Sequence, residues 1–97
     1  MIDHIQPVWQ ISIEHLTTDT LKKLNNQELT GAVVYSKDIG EDAPAGFFIV
    51  ADTQLLGMQS IPEDLKILIA AAIALNAYYL EVDGIFARDT RFPVYLD

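Results

Sequence analysis

Ser60-Ile-Pro-Glu-Asp-Leu-Lys-Ile-Leu-Ile-Ala-Ala-Ala-Ile-Ala-Leu-Asn76 is the stretch around which the rest of the chain has to be arranged. Ser60 and Glu63 have the spacing of a capping box, in which a serine oxygen and a glutamate carboxylate satisfy the unpaired amides of a helix's first turn. Pro62 fits inside that turn, where a missing N–H costs nothing. After Lys66 no charged residue follows until Glu81, and apolar residues fall on every face of the helix. A helix of this kind is buried on most sides or shared with a partner.

Working outward toward the N-terminus, Trp9, Ile11 and Ile13 alternate with Gln10 and Ser12, a period of two that predicts a half-buried strand over 9–13. Thr17 then reads as a helix cap, with Leu16 and Leu21 at the positions of a hydrophobic staple, and the helix runs to Asn25. Residues 31–36 and 46–51 are β-branched and aromatic, and both read as strands. Between them the glycine, proline and carboxylates of 37–45, including Asp38, Glu41 and Asp42, mark a solvated hairpin loop. Residues 52–59 either extend a strand or pack as a buried connector. Beyond the long helix, Tyr78, Leu80 and Val82 alternate with Tyr79 and Glu81, which predicts a strand over 77–82 closed by an Asp83-Gly84 turn. The tail from Ile85 to Asp97 holds Phe92, Pro93, Val94 and Tyr95, and an edge strand is expected there.

The order of elements is therefore strand, helix, strand, strand, helix, strand and tail. It corresponds to an α+β fold with the ferredoxin-like split β-α-β arrangement, βαββαβ plus a C-terminal edge segment. Two helices would cover one face of a mainly antiparallel sheet in a single compact domain over 1–97. The opposite face would carry Val8, Gln10, Ser12, Val34, Phe48, Val50, Tyr79 and Glu81. Several of these are large and apolar, so the tail or a second chain would cover them.

Composition narrows the function classes. Fourteen acidic residues against six basic ones give a net charge of −8 over 97 residues. Such a field repels nucleic-acid phosphates and anionic membranes and attracts basic surfaces. With no cysteine there is neither a disulfide nor a thiolate metal site. The N-terminus has no basic segment leading into an apolar run, and the most apolar window is far shorter than a bilayer span. A cytoplasmic protein that binds neither nucleic acid nor membrane directly is expected.

Candidate chemistry is sparse. His15, beside Glu14, is the best single candidate for acid–base work, and its structural alternative is a strand-end histidine bonded to local backbone. Glu81 and Asp83, two apart on one strand, share a face, where Asp52 or Glu14 would complete a carboxylate cluster able to hold Mg²⁺ or Ca²⁺; a tight turn accounts for Asp83 equally well. Asp38, Glu41 and Asp42 read as a solvated charge cluster. No nucleophile elbow, phosphate loop or dinucleotide fingerprint is present, so no catalytic residue, metal or cofactor is expected. Glu14, His15, Asp38, Glu41, Asp42, Glu81 and Asp83 are the interaction or ligand candidates.

Ser12-Ile-Glu-His-Leu-Thr17, Pro62-Glu-Asp-Leu65 and Phe92-Pro-Val-Tyr95 together resemble a family of short bacterial proteins without an assigned activity, often carried on mobile elements. Glu14 stands here where that pattern has a small residue, and Phe92 where it has leucine. The resemblance implies interference with a host or rival system. The expected function is a small acidic, non-enzymatic interaction module that binds a basic protein partner or a second copy of itself. In its sharper form it is a DNA mimic that occupies a nucleic-acid-binding protein. The alternative is a small ligand-binding or enzymatic domain with His15 and Glu81 in a cleft at a homodimer interface.

Overall fold

In the computed structural model, which describes residues 7–37 and 46–95, the chain runs β1 (Val8–Ser12), a 3₁₀ turn (Ile13–His15), α1 (Thr18–Asn25), β2 (Val34–Lys37), β3 (Gly46–Val50), a second 3₁₀ turn (Thr53–Gly57), α2 (Glu63–Ala74) and β4 (Tyr79–Asp83). The class is α+β, and the order of elements is the one read from the sequence. Asp38, Glu41 and Asp42 lie outside the described residues.

Among the described residues the sheet has four strands in the order β1-β4-β3-β2. β1 pairs parallel with β4, while β4 with β3 and β3 with β2 pair antiparallel. The sheet is therefore mixed, and the ferredoxin-like expectation extends as far as the order of elements. The inner position of β4 follows from its burial: Leu80 and Val82 are both fully buried and need neighbours on each side. β1 carries the exposed Val8 and Gln10, which an edge tolerates.

Alternation along the strands sorts the two faces. Trp9 and Ile11 lie opposite Leu80 and Val82, which lie opposite Ile49 and Phe47, and Val34 lies opposite Ile49. This is the core face. Leu24 of α1 and Leu65, Leu68, Ile69 and Ala72 of α2 join the same core, with Leu16, Leu29, Leu55 and Ile61 from the connections. Both helices thus serve one face of the sheet. Each large aliphatic side chain so buried contributes about 1.5–3 kcal/mol. Val34, expected on the open face, packs against this core instead, because β2 begins at Val34 in register with the inward Ile49.

Local chemistry moves several boundaries. β1 ends at Ser12, whose hydroxyl accepts the Glu14 amide at 3.1 Å and starts the 3₁₀ turn. Thr17 caps α1 through the Thr20 amide at 3.2 Å, as the sequence predicts. The capping box of α2 does not form. Pro62 holds the cap position in extended geometry with no side-chain cap bond, and the Ser60 hydroxyl donates instead to the Thr30 carbonyl at 3.1 Å. The burial of Ile61, 2% exposed, fixes the chain so that the helix starts after the proline. Residues 52–59 prove to be a connector: Asp52 caps the second 3₁₀ turn and Leu55 is buried. α2 is buried only on its inner side, since Ile67 and Leu75 are exposed. Up to Tyr95 the described tail forms no strand.

One glycine is required by close approach. A Cβ on Gly46 would lie 2.1 Å from the Val82 carbonyl oxygen, so only glycine lets β3 reach the end of β4.

Candidate functional site

The turn after β1 places two neighbouring side chains in opposite surroundings. His15 is 2% exposed, whereas Glu14 faces the surface. The Asp89 amide donates to Nε2 of His15 at 2.9 Å, so that nitrogen carries no proton. The imidazole is thus neutral with its hydrogen on Nδ1, which donates to the Pro93 carbonyl at 2.7 Å. Phe92 stands edge-on to the ring at 5.9 Å and also contacts Trp9 at 5.7 Å.

Charge pairs frame this contact. Arg88 donates from Nε and Nη2 to the two Glu14 oxygens, each at 2.8 Å, a two-pronged geometry stronger than a single bond. The Arg88 hydrogen bonds hold the Glu14 carboxyl below its ordinary range. Arg91 does the same for Asp89 through side-chain and backbone bonds, lowering it to about 2. The Glu14 carbonyl accepts the Tyr95 amide at 2.8 Å, and the Ala87 carbonyl accepts the Ser12 amide at 3.3 Å. Residues 87–95 are strapped across the end of β1 as irregular chain, in place of the expected edge strand.

This arrangement holds chain rather than reactants. Both ring nitrogens of His15 are engaged with backbone, so neither is available to move a proton to or from a ligand in this state. Glu81 and Asp83 do share the face of β4 turned away from the helices, both nearly buried, and Asp83 lies opposite Ser12, whose hydroxyl donates to Glu14 at 3.3 Å. Gln10 Nε2 donates to Glu81 at 3.1 Å, and Asp83 Oδ1 accepts the Ile85 amide at 3.0 Å in the expected turn. Asp52 is spent on the Gln54 amide at 2.9 Å. Among the described residues no group of three His, Cys, Asp or Glu is placed to hold a metal ion. No helix among them is long and apolar enough to cross a membrane.

Sequence reasoning missed a second polar cluster. Asp64, in the first turn of α2, accepts the Thr17 amide at 2.9 Å, the Thr17 hydroxyl at 3.2 Å and the Thr20 hydroxyl at 2.7 Å. Its position in a helix's first turn is ordinary for a carboxylate; its partners, more than forty residues away, carry no sequence signal. The cluster locks the starts of the two helices together.

The face of the sheet turned away from the helices carries one row that is half aromatic and half polar and one that is apolar and aromatic. Tyr35, Phe48, Glu81 and Gln10 lie abreast across the four strands, and Val50, Tyr79 and Val8 form the next row. Tyr35 is 55% and Val8 40% exposed. Phe48 meets Tyr79 edge-on at 6.3 Å, and Tyr78 meets Tyr79 at 4.6 Å.

Against this geometry, the family model described as "Family of unknown function (DUF5983) C-terminal domain" matches residues 8–97. No curated protein and no solved structure matches the chain.

Proposed function

The chain belongs to the DUF5983 C-terminal domain family, a family of unknown function, and we propose that it works as a small acidic protein-interaction module rather than an enzyme. The observation that carries this reading is the sheet face turned away from the helices, where Tyr35 and Val8 are exposed on the two edge strands beside the half-buried Phe48, Val50 and Tyr79, on a chain of net charge −8. Tyrosine-rich apolar surface is the material of protein interfaces. The titratable groups that a catalytic reading would need support it from the other side, because His15, Glu14 and Asp89 are each engaged in holding the tail.

The target we infer is a basic protein, and in the sharpest form a nucleic-acid-binding one whose phosphate-binding surface the carboxylates occupy. Inhibition of such a protein is the natural activity of this module. An α+β architecture hosts many unrelated functions, so the reading rests on the surface alone. A cytoplasmic setting follows from a nucleic-acid-binding target.

Affinity capture from the native cell, repeated at about 50 mM and about 500 mM salt, tests the proposal, since screening weakens exposed charge pairs beyond about 10 Å at 0.1 M. The expected result is a basic protein retained at low salt, released at high salt and displaced by duplex DNA. A partner held equally at both salts, or a metabolite in place of a protein, overturns it.

A further inference from the structure

α2 carries apolar residues on every side, and the fold covers one of them. Leu65, Leu68, Ile69 and Ala72 are buried, whereas Ile67 is 42% and Leu75 52% exposed, with Ala70 and Ala74 exposed between them. Ile67, Ala70, Ala71 and Ala74 follow at spacings of three and four, so they share the outward face, Ala71 half-buried at its margin. No charged residue stands between Lys66 and Glu81. Beyond its first turn this face is therefore neutral, on a chain of net charge −8. A helix of this composition is buried or shared, and this face is the part left to share.

What shares it follows from the order of the residues. A two-fold interface sets a surface against itself, so each position has to suit its own symmetry mate. Two copies of α2 laid antiparallel, with the axis passing between Ala70 and Ala71, bring Ile67 of one copy opposite Ala74 of the other and Ala70 opposite Ala71. Large meets small at both ends and small meets small in the middle, which lets the helix axes approach to about 8 Å, the near limit of helix packing. The same pairing brings Lys66 of each copy to the last turn of the other helix. The Lys66 side chain makes no ion pair or hydrogen bond among the described residues. That last turn holds no basic residue, no backbone amide among the described residues reaches the Ala74 carbonyl, and a helix C-terminus attracts a cation. Parallel copies would instead set Lys66 against Lys66 and Glu63 against Glu63.

We propose that α2 pairs with α2 of a second copy through Ile67, Ala70, Ala71 and Ala74, in an antiparallel two-fold dimer. Its twelve residues span about 18 Å, and a contact of that length falls short of the ~800 Å² per partner of a standard interface. The dimer is thus weak, with Kd about 0.1–1 mM. Its salt dependence has a definite sign. Two copies at −8 repel each other, and salt screens the repulsion while leaving apolar packing in place, so association tightens as salt rises, opposite to capture of a basic protein. α2 lies on the far side of the sheet from Tyr35 and Val8. Both copies therefore keep that face open, and the dimer stands or falls independently of the basic-partner reading.

The test is sedimentation equilibrium of the intact chain, with amide and methyl NMR shifts, from about 0.02 to about 2 mM protein at about 50 and about 500 mM salt. The expected result is concentration-dependent shifts centred on Ile67, Ala70, Ala71 and Ala74, and a Kd at least about threefold lower at the higher salt. Ala70→Glu, at an exposed position and with a good helix former, should abolish association with little change in melting temperature. Ile67→Gln should weaken it at least about tenfold, which keeps the test valid if Ala70→Glu does not fold. The Ala71→Lys variant should associate with the Ala70→Glu variant more tightly than either does with itself, because the antiparallel register sets position 70 opposite 71. A chain that stays monomeric at about 2 mM overturns the proposal. So does association that survives Ala70→Glu, weakens with salt, or shifts Tyr35 and Val8 in place of α2. Capture of a native-cell protein that is lost in Ala70→Glu, while the chain itself stays monomeric, makes the face another protein's site and overturns the proposal as well.

Discussion

Nε2 of His15 and the backbone amide of Asp89 meet at 2.9 Å across seventy-four residues of chain, and this bond decides the protonation of the ring. With Nε2 accepting, Nδ1 must donate, and Pro93 supplies the acceptor. The histidine is thus a two-ended backbone clamp buried beneath Phe92. His15→Leu would fill much of the space but leave the Asp89 amide and the Pro93 carbonyl unpaired, each worth about 1–3 kcal/mol when buried. The expected outcome is a loss of about 2–4 kcal/mol in urea unfolding, with faster amide exchange at Asp89 and Tyr95; His15→Gln, which keeps a donor and an acceptor, should recover part of it. A variant as stable as the parent would show that the clamp contributes nothing.

Asp64 couples the two helices through hydroxyl and amide donors on Thr17 and Thr20. Hydrogen bonds to a charged group are worth about 1.5–3 kcal/mol. Asp64→Ala should therefore cost about 2–3 kcal/mol and Thr20→Val about 1–2 kcal/mol. Because both remove the same bond, the double variant should be less destabilised than the sum by about 1 kcal/mol or more. Strict additivity would mean that the two residues do not share a bond in solution.

What could be read from the sequence follows the range of each signal. Alternation in Leu80 and Val82 and the threonine cap at Thr17 are local, and both stand in the structure. The capping box that the Ser60–Glu63 spacing predicts does not form, because Pro62 and the buried Ile61 decide where α2 begins. The tail departs from its expected strand for another reason. Phe92, Pro93 and Tyr95 look like strand material, but their partners are the Glu14 carbonyl and the His15 ring, contacts between distant segments that no periodicity announces. For His15 the sequence leaves an acid–base role and a backbone-bonded strand-end histidine side by side, and the backbone partners Asp89 and Pro93, distant in the chain, decide for the second.

Gly46 gives the sharpest steric prediction. A methyl group there would meet the Val82 carbonyl oxygen at 2.1 Å and the Asp83 Cα at 3.0 Å, both backbone atoms inside a paired strand. Overpacking costs about 1–3 kcal/mol where side chains can yield; here the strands themselves must part, so Gly46→Ala should lie at or beyond the upper end. Thermal unfolding measures it directly, and Gly57→Ala, where a Cβ meets nothing within 4 Å, serves as the control. Equal effects at the two positions would contradict the register of β3 against β4.

Acid should loosen the tail before it unfolds the core. Arg91 holds the Asp89 carboxyl at about 2, against an ordinary value near ~3.9, and Arg88 lowers Glu14 as well. A carboxyl depressed in the folded state contributes stability that is complete above its unfolded value and is lost as pH falls through the folded one. For Asp89 that window runs from about 4 down to about 2, so between pH 5 and 7 this pair gives no pH dependence. Both carboxylates are solvent-facing, where ion pairs contribute little, and the melting temperature is therefore the wrong readout. The measurement is the carboxyl chemical shift of Asp89 and the amide exchange of Arg91 and Tyr95 followed by NMR from pH 6 to 2. Arg91→Gln should bring the Asp89 titration back toward its ordinary value; a parent Asp89 that already titrates there would mean that Arg91 does not engage it.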